Sequence, residues 1–344
     1  MTAKRKSGDV HMLIRPRILV VGSFMMDLIA ATERAPKEGE TVIGLSFKTA
    51  PGGKGANQAV QCARLGADVT MVGRVGADVF GAQLVNAVKA AGVDVSHVTV
   101  DENEPSGVGH VTLEVSDSDA RNRITVCPGA NHTMKQEHIA WLRHEIGRYD
   151  AVMMQLELPM DIIETTAKWA KDSGVPVMLN PAPAAELTDD LMSCVTYLSP
   201  NEHEASLMSG HSIDVSQGVD FGNIREVAET FQKRGVDRLI ITLGENGAIL
   251  AKGEEICYAE SVRMKKVADT TAAGDSFVAA FCTGVAAGLE ERVALNVACC
   301  TAAITVTRMG AIPSLPSISE VQALLKERGL TDFDTAVLIH RRDE

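Results

Sequence analysis

Nine residues, Asp269 to Phe277, read DTTAAGDSF, with two acids six positions apart and only threonine, alanine and glycine between them. After Gly274 the apolar positions Phe277, Ala280, Phe281, Gly284 and Val285 recur with the period of a helix packed on one face, which puts Asp275 in its first turn. The peptide N–H groups of Ala272, Ala273 and Gly274 then come just ahead of the helix. Unpaired donors and the positive end of the helix dipole make that position an anion site. Larger side chains there would block a phosphate. A carboxylate beside such a site would repel the anion unless its task is to take a proton from an incoming hydroxyl. The helix end also keeps Asp275 ionised, and so able to accept.

A second constellation is PGGKGANQAV, Pro51 to Val60. It is not a phosphate-binding Walker loop, because no glycine stands five residues before the Gly53–Lys54 pair and Gly55 replaces the required serine or threonine. It is not a dinucleotide fingerprint either. A glycine-rich turn opening a helix at Ala56 can bring backbone N–H groups close to a polyhydroxylated ligand, with Lys54 and Asn57 pointing inwards.

The elements that must carry these groups follow from punctuation and period. Short apolar runs closed by turn residues, RILVVGS from Arg17, VTMVGRVG, AVMMQLE, VPVMLNPAP, VTYLSPNE and RLIITLGENG, read as buried parallel strands. Between them lie helix-period segments such as GANQAVQCARLGA, GAQLVNAVKAAG and MDIIETTAKWAKDSG. The expected class is therefore α/β, a doubly wound, mostly parallel sheet flanked by helices. Leu28–Pro51 and Gly107–Val126 alternate like strands without an intervening helix and predict a small antiparallel flap on one edge. Several main runs end in a polar group, at Glu157, Asn180, Asn201 and Thr242. Ligands of open parallel sheets bind beyond these carboxyl ends.

Composition bounds the rest. The 344 residues are 45% apolar and 23% charged, as in ordinary globular proteins, with a net charge of −12 and no basic run beyond the N-terminal segment. Nucleic acid is therefore excluded as a partner, since phosphate backbones select concentrated Lys and Arg. No apolar run approaches the roughly 20 residues that span a bilayer, so no membrane association is expected. Residues 1–16 carry Lys4, Arg5, Lys6 and Arg15 without the apolar core of a secretory signal, and are read as a flexible polar tail. Seven cysteines without CxxC spacing suit reduced core thiols in the cytoplasm.

VGSFMMD, GGKGANQAV, MQLE, NPAPA, PNEHE, ITLGENG, DTTAAGDSF and VTRMGAIPS stand in the order and spacing of the ribokinases of the PfkB-type carbohydrate kinase family, which the chain resembles from about Arg17 to Leu325. The resemblance implies a ribokinase-like kinase domain over 17–330, with a β-sheet lid formed by about 28–51 and 107–126 and a C-terminal tail at 331–344. It implies ATP-dependent phosphorylation of a pentose 5-hydroxyl, with Asp275 as base and Ala272, Ala273 and Gly274 as the anion hole. Met25, Met26, Asp27, Gly53, Lys54, Gly55, Ala56, Asn57 and Glu157 match the sugar site. Asn201, Thr242, Leu243, Gly244, Glu245, Asn246, Gly247, Gly274, Asp275 and Cys299 match the ATP site. Glu204 stands where the family orders water around Mg²⁺. Asp269, Thr271, Thr305, Arg308, Gly310 and Ser314 match a K⁺ site built largely from backbone carbonyls. A homodimer through the lid is also implied.

Two departures bear on substrate. Met25-Met26-Asp27 stands where many bacterial ribokinases have N-x-D, so a thioether replaces an amide able to pair with a sugar hydroxyl. Simple packing of Met25 and relaxed selectivity towards 2-deoxy-D-ribose are both open readings, as is a nucleoside or other sugar acceptor. Cys299 replaces a His or Asn near adenine. A catalytically silent sugar or nucleotide sensor is the alternative outside enzymes, but silence normally shows as loss of the base or the anion hole.

Overall fold

The computed structural model describes residues 15–115, 120–216 and 218–330. Its strands are β1 (Arg17–Val21), β2 (Met25–Thr32), β3 (Ser46–Gly52), β4 (Asp68–Gly76), β5 (Asp94–Asp101), β6 (Val108–Val115), β7 (Ala120–Cys127), β8 (Ala151–Gln155), β9 (Val177–Asn180), β10 (Tyr197–Leu198), β11 (Arg238–Thr242), β12 (Ala248–Lys252) and β13 (Glu255–Ala259). Nine form one sheet in the order β13-β12-β11-β10-β9-β8-β1-β4-β5, parallel from β5 to β11 and antiparallel at the β12–β13 edge.

Strand β1 shows why its sequence is a continuous apolar run. Ile18 and Val20 enter one core with the helices Lys54–Arg64, Ala273–Ala286 and Glu291–Thr305, while Leu19 and Val21 enter a second core with Met160–Asp172 and Phe221–Lys233. Helices on both faces leave no solvated side, so alternation disappears. The strand order reverses at β1, which pairs with β4 on one side and β8 on the other. A crevice opens beyond the carboxyl ends at such a reversal. Gln155 and Asn180, opposite one another, close β8 and β9 at that edge.

The second sheet has the order β3-β2-β6-β7. It differs from the predicted flap in two ways. It starts at Met25, three residues before the expected boundary, and its central pair β2–β6 is parallel although β2–β3 and β6–β7 are antiparallel. The chain returns to the main sheet through β4 and β5 before β6 begins, so β2 and β6 both leave the body in the same direction. The crossing is tightly tied. Asn131 accepts from the Phe24 N–H at 2.9 Å and donates to the Phe24 and Pro128 carbonyls, both at 2.8 Å, while the Met26 N–H donates to Gly107 O. A Cβ on Gly107 would lie 2.4 Å from the Asn131 amide nitrogen.

The helix expected to open at Ala56 begins at Lys54, capped by Gly53. Of the predicted tails, only Arg15 and Pro16 fall among the described residues; 1–14 and 331–344 lie outside them.

Candidate active site

Gly53 has φ +96°, a conformation that favours glycine, and a Cβ there would sit 2.7 Å from Met25 N. A Cβ on Gly55 would meet Ser23 N at 2.4 Å. The glycines thus let the start of the helix press against the β1–β2 crossing. The Lys54 N–H donates to Glu157 Oε2 at 3.0 Å, and the Ser23 hydroxyl donates to the same oxygen. Burial works against charge on the Lys54 ammonium, but the carboxylates of Asp275, Glu157 and Glu204 outweigh it and raise its pKa. Glu157 is pushed up by burial, with Lys54 and its hydrogen bonds opposing. Asp27 is pushed up to about 6 by burial and by the fields of Glu157, Asp275 and Asp269. Residues from five separate segments therefore share one field.

Asp275 is buried, 7% exposed. Asn57 Nδ2 donates to its Oδ2 at 2.8 Å and Gln58 Nε2 to its Oδ1 at 3.1 Å. Asn57, expected to face a sugar hydroxyl, thus spends its amide N–H on the acid. Its Oδ1 is buried without a partner among the described residues, beside Gly52 and Asp27. Sequence reasoning missed Gln58. Its place after Asn57 carries no signal until the helix Ala273–Ala286 brings Asp275 against it.

The helix Ala273–Ala286 starts after Ala272, whose φ of +60° is the only positive value at a non-glycine among the described residues. This left-handed turn costs about 1 to 3 kcal/mol and persists where the surroundings impose it. It also changes the predicted donor set. The Ala273 N–H bonds Thr270 O at 3.2 Å, whereas those of Ala272, Gly274 and Asp275 have no acceptor among the described residues. A Cβ on Gly274 would meet nothing within 4 Å, so the space beside Gly274 is open.

Asn201 and Glu204 form a reciprocal cap on the helix Glu202–Ser209. Asn201 Oδ1 accepts the Glu204 N–H at 2.7 Å and Glu204 Oε2 accepts the Asn201 N–H at 2.9 Å. One Glu204 oxygen is thus fixed. Burial raises the Glu204 pKa, against that backbone bond and Lys54. Asn201 also bridges Thr242 at the end of β11. From Leu243 a tight turn over Gly244, Glu245 and Asn246 closes through Leu243 N–H to Gly247 O at 2.8 Å. A Cβ on Gly247 would lie 2.1 Å from Ala259 O. Cys299 is 8% exposed, and burial, with Cys300, pushes its thiol up to about 12. It offers shape and no charge.

Asp269 accepts from the Thr271 N–H at 2.9 Å, the Thr271 hydroxyl at 2.6 Å and the Gly310 N–H at 2.9 Å. Burial opposes ionisation, but these bonds outweigh it and hold the carboxyl low. Thr305 donates to Ser276 Oγ at 2.9 Å, and Ser314 donates to Ala311 O at 2.7 Å. Arg308 pairs through its guanidinium with Glu320, so only its backbone remains for the loop.

Three predicted site residues sit in the core instead. Met26 and Ala56 are fully buried and Leu243 is 1% exposed, so none offers surface to a ligand. Met25 is 4% exposed, with its sulfur against Gly107, which favours packing over substrate contact. Among the described residues, no group of three or more His, Cys, Asp or Glu is placed to hold a metal.

Residues 15–318 match the model of the pfkB family of carbohydrate kinases. The chain is 37% identical over 308 residues to the ribokinase of Bacillus subtilis (strain 168), covering 90% of this chain and 99% of that one. It is 38% identical over 311 residues to the ribokinase of Schizosaccharomyces pombe, covering 88% and 96%. A deoxyribokinase of Salmonella typhi is 32% identical over 90% of this chain and 98% of its own length. Among solved structures, Arabidopsis thaliana ribokinase complexed with ribose and ATP superposes with a TM-score of 0.82 at 34% identity, covering 91% of this chain and 99% of that chain.

Proposed function

The chain belongs to the pfkB family of carbohydrate kinases, and from that premise we propose that it transfers the γ-phosphoryl group of ATP to the 5-hydroxyl of D-ribose. One observation carries the assignment of roles. Asp275 stands at a helix mouth beside three unpaired peptide N–H groups, in the cleft that holds Lys54, Asp27 and Glu157. The sugar O5 attacks the γ-phosphorus in line as its proton passes to Asp275; the new O5–P bond forms, the bond to the bridging oxygen breaks, and ADP leaves. The N–H groups of Ala272, Gly274 and Asp275 receive the charge on the transferred group.

In this reading Asp27, the Asn57 Oδ1 and the turn at Gly53 hold sugar hydroxyls, and Lys54 balances the surrounding carboxylates. Asn201, Thr242 and the turn through Gly247 border the nucleotide. Glu204 suits a hydrated Mg²⁺, because Oε2 takes the Asn201 N–H while its other oxygen has no partner among the described residues and can meet the ion through water. Mg²⁺ there would neutralise phosphate charge. The loop that Asp269 ties to Thr271 and Gly310, with the carbonyls near Thr305 and Arg308, suits K⁺, which would stiffen the anion hole. Equal turnover in K⁺ and Li⁺ would remove that assignment. The small sheet acts as lid. It exposes Phe47, Ile124 and Val126, with Ile43 and Leu45 on the approach to β3, and this apolar surface supports a homodimer. Free thiols at Cys62, Cys282 and Cys300, buried in the core, support a cytoplasmic setting.

The direct test is ADP release with ribose, 2-deoxyribose, fructose and adenosine in turn. Ribose is expected to give the highest kcat/KM. Turnover of adenosine or fructose above both pentoses would overturn the ribose assignment.

A further inference from the structure

We propose that Gln58 is a positioning residue for Asp275, and that a one-way chain of buried amides, Gln155 to Gln58 to Asp275, fixes which lone pairs of the base face the cleft. The inference rests on the role of Asp275 given above.

The direction of the chain follows from donor and acceptor counting. Asn180 Nδ2 donates to Ser199 O at 2.9 Å, so Asn180 Oδ1 is the end turned to Gln58. Gln155 Nε2 donates to Gln58 Oε1 at 2.6 Å, which leaves Gln58 Nε2 on the other side. That nitrogen has two protons and two acceptors, Asn180 Oδ1 at 3.2 Å and Asp275 Oδ1 at 3.1 Å. A flipped Gln58 amide would turn its oxygen to two acceptors and its nitrogen to a donor, so the orientation is held from both ends. Gln58 and Gln155 are fully buried.

With Asn57 on Oδ2 and Gln58 on Oδ1, both oxygens of Asp275 carry an amide donor. The carboxylate cannot rotate without breaking both bonds, and its remaining lone pairs are left for a substrate hydroxyl. The donors are neutral, so they orient the acid without adding charge. The charged groups that act across the same cleft are Lys54, Asp27, Glu157, Glu204 and Asp269. Gln58 touches none of the reacting atoms in this arrangement. Its effect passes through Asp275, and it belongs in the transition state more than in binding.

The test compares Gln58→Met with the parent on whichever acceptor the parent turns over, so that failure of the ribose assignment is seen in the parent and is not mistaken for failure here. A hydrogen bond to a charged group is worth enough that kcat should fall at least about tenfold, with KM for sugar and ATP within about threefold. Loss of a donor to the ionised acid favours its protonated form, so the acid limb of the kcat profile should move to higher pH. A merely structural role would lower the melting temperature without moving that limb. Parental kcat, an unmoved acid limb, or KM rising in step with the loss of kcat would each overturn the proposal. If Gln58→Met does not fold, Gln155→Met serves. It removes the donor to Gln58 Oε1 together with an Oε1 that has no partner among the described residues, so Gln58 Oε1 loses its partner while Gln58 itself is retained. With one of its two ends released, Gln58 holds Asp275 less firmly, so kcat should fall about threefold with the same shift of the limb, and parental values would overturn the chain.

Discussion

Two acids face the same cleft from opposite supports, and they are built differently. Asp275 belongs to the main body, where amides hold both of its oxygens and the helix mouth sits beside it. Asp27 belongs to the small sheet, in β2 between β3 and β6, and no protein donor to its carboxylate is found among the described residues. Its neighbours are the glycines Gly52 and Gly109, where a Cβ would come within 3.3 and 2.6 Å of its oxygens. One acid is held in place by two protein amides; the other has no such donor among the described residues and is pushed up to about 6. Under the roles proposed above, the contrast gives rate to the body and affinity to the small sheet.

Asp275→Asn should break the rate half of this contrast most sharply. Loss of a general base typically costs 10²- to 10⁴-fold, so kcat should fall by about 10³ while ATP and sugar affinities measured by calorimetry stay within a few-fold. Near-parental turnover would dismiss Asp275 as base.

Asp27→Asn should do the reverse. Removing an ionised acceptor of sugar hydroxyls costs about 1.5 to 3 kcal/mol, so KM for the sugar should rise roughly 10- to 100-fold, with KM for ATP little changed. A loss confined to kcat would show that the division between the two acids is wrong.

A smaller effect sharpens the comparison through pH. Asp27 is ionised above about 6 and neutral below, so KM for the sugar should rise as pH falls through that value. The stability of the unliganded protein should respond in the opposite sense. The folded state binds more protons than the unfolded chain between the ordinary value of 3.8 and about 6, so the contribution of Asp27 to stability increases as pH falls through that window. Both trends should vanish in Asp27→Asn, and a pH dependence unchanged in that variant would assign it to another group.

Much of this was readable along the chain, for physical reasons. Asp275 and the tiny residues before it are adjacent in sequence, and a helix entrance is a local structure, so order and spacing carried their meaning. Strands such as β1 were legible because a sheet covered on both faces demands unbroken apolar runs. Gln58 was not legible, since an amide beside Asn57 has no meaning until a second helix brings Asp275 against it. Met26 and Ala56 lie within motifs matched to the sugar site by resemblance, yet their own side chains are fully buried in the core. The choice of free N–H groups at Ala272, Gly274 and Asp275 depended on the left-handed turn at Ala272, a conformation that composition alone would not assign to alanine.

What the amino-acid sequence determined by itself is therefore the set of local devices: the acid in the first turn of a helix, the glycine turn before Lys54, and the alternation of strands and helices that stacks them on one edge. Each depends on neighbours a few residues apart, where backbone geometry is short-ranged. The tertiary structure alone decided the parallel pairing of β2 with β6, the field that lifts Asp27 to about 6, and the amide chain behind Asp275. Those depend on groups up to about two hundred positions apart meeting in a space closed to water, where a single hydrogen bond or charge counts for more than it does along the chain.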